Sequence, residues 1–319
     1  MPSRFPIACP SDQQVLRAYN NTRRCIAARL LYSAASIRRL LPNLYFTSKA
    51  QRLLRTVFLA ILEPTRVMRL LQCDNNGGLS QTEFFESEIP DYAILSHRWE
   101  AEEVTFRDIQ DVTSKSKAGY SKIQFCREQA RRDGLQYFWV DTCCIDKSNS
   151  TELAEAINSM FRWYQKAARC YVYLSDVSTK KQKVNDISTE CTWESAFRAS
   201  KWFTRGWTLQ ELLAPTIVEF FSQEGKRLGD KRILKRCIQE ITGISISALE
   251  GAPLSQFGID ERLSWAKNRQ TTRAEDRAYS LLGIFGIHLS LIYGEGSENA
   301  FKRLKKKIQK SLTGKYTIS

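Results

Sequence analysis

The stretch KWFTRGWTLQELLAP, residues 201–215, gathers Trp202, Phe203 and Trp207 around Thr204, Arg205 and Gly206, then enters a helix-like run with a single acid, Glu211. A lone carboxylate in such a setting has two uses. It can close a helix start, because Thr208 and Glu211 have the T-x-x-E spacing of a capping box. It can also belong to the wall of a site in which it does chemistry. The same spacing recurs at Thr272 and Glu275, so on local grounds Glu211 reads as a cap. Trp202 and Phe203 read as packing.

Two other clusters carry functional groups. LSHRWEAEEVTF (95–106) sets Ser96, His97, Arg98, Trp99 and Glu100 directly after an apolar strand-like run. These groups either meet a ligand there, or Trp99 is core and the charges are solvated. WVDTCCIDK (139–147) ends a second apolar run on Asp141, an acid that either binds the loop backbone or faces a ligand. Phosphate loops, dinucleotide glycine fingerprints, H-E-x-x-H and the G-x-S-x-G elbow are missing. YGEG at 293–296 reads as a turn.

The elements that must position these residues alternate. YAILS (92–96), QYFWVD (136–141), CYVYL (170–174) and IVEFF (217–221) are apolar strand-like runs. Between them, 120–134 places Ile123, Cys126 and Ala130 at helical spacing before Gly134, and 149–167 aligns Leu153, Ile157, Met160 and Tyr164 on one face. Asn149 and Glu152 have cap-and-N3 spacing. Alternation of this kind predicts a parallel sheet covered on both faces, with ligands at the strands' carboxyl ends. From about 225 the pattern reads as helices alone, the last with Phe301, Leu304 and Ile308 on one face and a solvated Lys/Arg cluster on the other.

With 319 residues and 43% apolar composition the chain can bury a full core. The net charge of +14 is concentrated: residues 1–67 hold 11 basic and 2 acidic groups, and the remainder 37 and 32. A nucleic-acid surface is therefore not required. The arginine-rich segment reads as an extension upstream of a domain opening at Met68, with mitochondrial targeting the alternative. Nine cysteines without framework spacing and only two histidines point to reduced thiols and no zinc site. No apolar run is long enough to span a bilayer.

The blocks YAILSHRW, WVDTCCIDK, ELAEAINSMFRWYQKAARCYVYLSDV, WFTRGWTLQELLAP, TTRAEDRAYSLLGIFGI and LIYGEGSENAFKRL together resemble the fungal heterokaryon incompatibility (HET) domain over roughly 68–310. Arg98 and Glu100 depart from it, since that family more often has a small residue before the Trp and Gly after it. The resemblance implies an α/β, TIR-like (flavodoxin-like) parallel sheet with helices on both faces and an appended C-terminal helical part. The expected divisions are a basic extension (1–67), an α/β core (68–224) and a helical portion (225–319). It implies cytoplasmic action in nonself recognition and cell-death signalling, with self-association or a separate sensor protein as partner. Because the chain ends soon after the last block, no nucleotide-switch or repeat domain is expected downstream.

The TIR resemblance also places Glu211 on the position of the catalytic glutamate of NAD hydrolases. Ser96, His97, Arg98, Trp99, Asp141 and Trp207 would then line the substrate site, with NAD as substrate and no cofactor. Nicotinamide leaves NAD as an already cationic pyridinium, so one carboxylate facing the ribose suffices where ordinary glycosides need two. In the first turn of a helix that carboxylate is expected to stay ionised. The alternative is a non-enzymatic self-associating module.

Overall fold

A computed structural model describes residues 67–73, 78–111, 113–180 and 193–313. The expectations for segment 1–67 lie outside the described residues, except that Val67 opens the first strand. Seven strands form one sheet: β1 (Val67–Cys73), β2 (Leu79–Phe85), β3 (Tyr92–His97), β4 (Tyr137–Trp139), β5 (Arg169–Tyr173), β6 (Val218–Phe221) and β7 (Arg227–Asp230). Their spatial order is β2-β1-β4-β3-β5-β6-β7.

The four apolar runs are the parallel centre, β4-β3-β5-β6. All six residues of β3 are buried, so both of its faces are covered, as a parallel strand requires. The flanks correct the expectation of a purely parallel sheet. β1 pairs antiparallel with β2 and β4, and β7 antiparallel with β6. β7 also corrects the reading of everything after 225 as helical. It returns from β6 through a tight turn in which the Gly225 amide donates to the Ser222 carbonyl at 2.9 Å. A four-residue edge strand, paired on one side only, has no need of an apolar signature.

The helices begin with α1 (Phe106–Gln110), α2 (Tyr120–Arg132), α3 (Asp141–Cys144), α4 (Ser150–Lys166), α5 (Trp193–Ala199) and α6 (Thr208–Leu213). After the sheet come α7 (Lys235–Thr242), α8 (Ile246–Leu249), α9 (Ile259–Ser264), α10 (Asp276–Tyr279), α11 (Leu282–Phe285) and α12 (Gly296–Thr313). α2 buries Ile123, Cys126 and Ala130 and ends before Gly134, which takes φ 74°. α12 buries Leu304 and Ile308, with Phe301 partly covered.

At the start of α4 the Asn149 side chain accepts from the Thr151 and Glu152 amides. Glu152 does not complete a capping box. It accepts from the Asp146 amide at 2.7 Å and forms a two-pronged ion pair with Arg69, tying β1 to α4. Cys126, Cys143, Cys144 and Cys170 are buried free thiols, as their apolar surroundings predict. Among the described residues no helix is long and apolar enough to cross a membrane.

α4 and α11 approach closely at Gly283. A Cβ built there would lie 2.1 Å from the Phe161 Cβ. Gly283→Ala is therefore expected to destabilise the fold by about 1–3 kcal/mol through overpacking. Thermal unfolding reads this directly.

Candidate active site

β3 is where the strand order reverses, since its neighbours β4 and β5 follow it in sequence and lie on opposite sides. A crevice opens at the carboxyl ends of such strands, and here it holds a cavity of about 200 Å³. His97 and Trp99 enter it from the end of β3, Asp141, Ile145 and Lys147 from the segment after β4. Leu153, Ile157, Met160 and Tyr164 form one wall, which is the apolar face of α4. Arg205, Trp207, Thr208 and Glu211 contribute from the opening stretch, and Thr272, Arg273, Asp276 and Tyr293 from the helical tail.

Glu211 is not a cap. Trp207 holds the N-cap position of α6 without a side-chain capping bond. Thr208 instead donates to the carbonyls of Trp202 (2.7 Å) and Arg205 (2.9 Å) and accepts from Arg269 Nη1 at 2.8 Å. Glu211 Oε2 accepts from Ser96 Oγ at 2.5 Å. Ser96 Oγ in turn accepts from Trp202 Nε1 at 2.9 Å, so the serine proton is committed to Glu211. Trp202 and Phe203 pack edge-to-face in the core, as expected, and the indole also fixes the serine.

Burial, reinforced by the Asp141 charge, pushes the Glu211 carboxyl up to about 8, against the pull of Ser96, Arg205 and Arg269. This corrects the expectation that the carboxylate tends to stay ionised. A six-residue helix whose first amides do not reach the side chain offers too little to offset desolvation. The opposite end of α6 is held by buried Lys231, whose Nζ donates to the carbonyls of Leu212 (3.1 Å) and Pro215 (2.8 Å). Burial lowers that lysine to about 8.

The second proposed capping box also fails. Glu275 occupies the N-cap position of α10 and accepts from the amides of Gly294 (2.9 Å) and Gly296 (3.0 Å). YGEG is thus the turn expected of it, wrapped around a carboxylate of the protein itself.

At the rim, Trp99 Nε1 donates to Asp141 Oδ2 at 2.9 Å, and Lys147 Nζ stands 3.6 Å above the Trp99 ring. His97 lies 4.0 Å from Asp141 and 3.6 Å from Glu103. Trp207 Nε1 donates to Asp276 Oδ2 at 3.2 Å, and Tyr293 donates to Oδ1 at 3.0 Å. Arg273 lies over the Tyr293 ring at 4.2 Å, and Arg205 donates to Thr272 at 2.9 Å. His97, Trp99, Asp141, Trp207 and Glu211 therefore meet at one cavity, with Ser96 directly behind Glu211. Arg98 is not among its lining residues; its carbonyl accepts from Lys122 Nζ at 2.9 Å.

Sequence reasoning missed Lys147, Arg205, Arg273, Asp276 and Tyr293 as lining residues, and took Tyr164 for helix packing alone. The Tyr164 hydroxyl donates to the Leu95 carbonyl at 3.0 Å beside Glu211. Among the described residues no group of three or more His, Cys, Asp and Glu could hold a metal ion. The arrangement presents one buried carboxyl at the floor, aromatic rings and cations at the rim. That suits a cationic or glycosidic centre joined to an anionic group.

Residues 92–193 match the heterokaryon incompatibility protein (HET) family. The chain is also 59% identical over 246 residues to the vegetative incompatibility protein HET-E-1 of Podospora anserina. That similarity covers 76% of this chain and 18% of the relative, so the chain spans under a fifth of the curated relative's length. No solved structure matches. The HET-matched segment contains Ser96, His97, Trp99, Asp141 and the α4 wall, and it ends before Arg205 and Glu211.

Proposed function

We propose that this chain acts in fungal vegetative incompatibility, as the name of its relative indicates for that protein, and that it does so by hydrolysing NAD at Glu211. One observation carries the mechanism. Ser96 and Glu211, 115 positions apart, are joined at the floor of a cavity at the sheet's reversal point. The central parallel strands, numbered in chain order, run 2-1-3-4, which agrees with the flavodoxin-like order over its first four places. That agreement supports the TIR-like reading.

A cavity of about 200 Å³ admits the nicotinamide-ribose half of NAD. Arg205 and Arg273 at the rim suit the diphosphate, and Trp99, Trp207 and Tyr293 offer faces to a planar base. In the reaction the bond between ribose C1′ and the pyridinium nitrogen breaks. The electron pair leaves with neutral nicotinamide, and the ribose carries the positive charge. Ionised Glu211 stabilises that charge until water adds to C1′ and gives up a proton, leaving ADP-ribose. Entry of the cationic pyridinium lowers the pKa of the nearby carboxyl, so substrate binding itself favours the ionised form.

The test follows nicotinamide release from NAD by the purified chain under self-associating conditions, for wild type and Glu211→Gln. Release by the wild type alone supports the reading. Equal release by both, or none while the protein self-associates, would leave a non-enzymatic assembly module in its place.

A further inference from the structure

A second cavity, of about 310 Å³, adjoins the same turn through Gly206 and lies between the 263–281 segment and α12. Its charged lining has one sign only: Lys267, Arg269, Arg277 and Lys305, without an Asp or Glu. None of the four forms an ion pair among the described residues. Lys267, Arg277 and Lys305 are exposed, whereas Arg269 is 6% exposed.

Arg269 is the informative member. Nε donates to the Trp265 carbonyl at 3.2 Å, and Nη1 to the Arg205 carbonyl and the Thr208 hydroxyl. Nη2 is buried and has no hydrogen-bond partner. A buried donor left unmade costs about 1–3 kcal/mol, and gathering like charges in one concavity adds repulsion. Both penalties are relieved by a multivalent anion.

We propose that this cavity is a binding site for a small diphosphate-bearing molecule, with Arg269 Nη2 as its buried donor and Lys267, Arg277 and Lys305 closing over it. A terminal phosphate carries about −1.5 to −2 at pH 7 and the inner phosphate of a diphosphate adds a further negative charge, so a diphosphate offsets most of the charge of the four cations. A nucleic-acid strand would need cations laid out along its backbone, whereas these converge on one recess. Glu211 does not line this cavity, and the proposal does not depend on the NAD reading.

Isothermal titration of the full chain with inorganic pyrophosphate, at low ionic strength, tests it. Wild type and Glu211→Gln are expected to bind saturably with equal affinity, and the double variant Lys267→Glu/Lys305→Glu at least about tenfold more weakly. Lys302→Glu/Lys307→Glu changes net charge equally on exposed residues outside the lining and should retain affinity within about threefold. All four substituted side chains are exposed, so thermal unfolding should confirm intact folds. Absence of saturable binding to the wild type, or equal weakening of both double variants, would overturn the site.

Discussion

Glu211→Gln is expected to slow nicotinamide release from NAD by about 10³-fold or more, with much smaller change in substrate affinity, because glutamine keeps the shape and the Ser96 hydrogen bond but cannot meet a developing positive charge. The pH dependence carries an equally specific expectation. The free carboxyl titrates at about 8, and only its ionised form stabilises the ribose cation. The kcat/KM of the wild type should therefore climb tenfold per pH unit below that value and level off above it. Ser96→Ala removes a hydrogen bond that lowers the Glu211 pKa, so the plateau should move to higher pH. A serine that merely fills space would leave the profile where it was.

The same substitution is expected to act in the opposite direction on stability. The Glu211 carboxyl is raised by burial from 4.5 to about 8. Between those values the folded protein holds a proton that the unfolded chain has lost, so stability falls as pH rises through that window. At acid pH the neutral acid and glutamine are alike, and the variant should unfold close to the wild type. Above pH 8 the wild type carries a buried charge that the variant lacks, and the variant should be more stable by at most about 5 kcal/mol. Denaturant unfolding at pH 5 and pH 8.5 measures this. A helix-capping glutamate would give the reverse, with the variant weaker at alkaline pH and no gain anywhere. Lys231 titrates in both proteins and cancels from the difference. Lost turnover with gained stability is the pattern of a residue kept for function.

The parallel centre was legible because a strand buried on both faces must be apolar along its length. YAILSH, RCYVY and VEFF declare themselves in this way. The carboxyl ends of YAILSH and of the QYFWVD run in turn pointed to Ser96, Trp99 and Asp141. The flanking strands were not legible for the complementary reason: β2 is partly covered along most of its length and β7 is a short edge, and neither needs a pattern.

Glu211 shows the limit more sharply. T-x-x-E spacing looks the same whether the glutamate turns back to its own amides or toward a serine on a distant strand, and that serine lies 115 positions away. Its ionisation was misjudged on the same account, because desolvation is set by the walls of the cavity and not by neighbours in sequence. Arg273, Asp276 and Tyr293 were hidden by distance too, Asp276 meeting Trp207 across 69 positions.

The cavity's walls run from His97 at the end of β3 to Tyr293 just before α12, and this has a consequence for synthesis. A nascent chain that has folded only as far as β6 would have its strands and its Ser96, while Thr272, Arg273, Asp276 and Tyr293 were still to arrive. In that intermediate the cavity would lack those four side chains, and Glu211 would be more open to water. The cavity is completed only by the docking of the last segments, so under the proposed function a copy lacking them would be inactive.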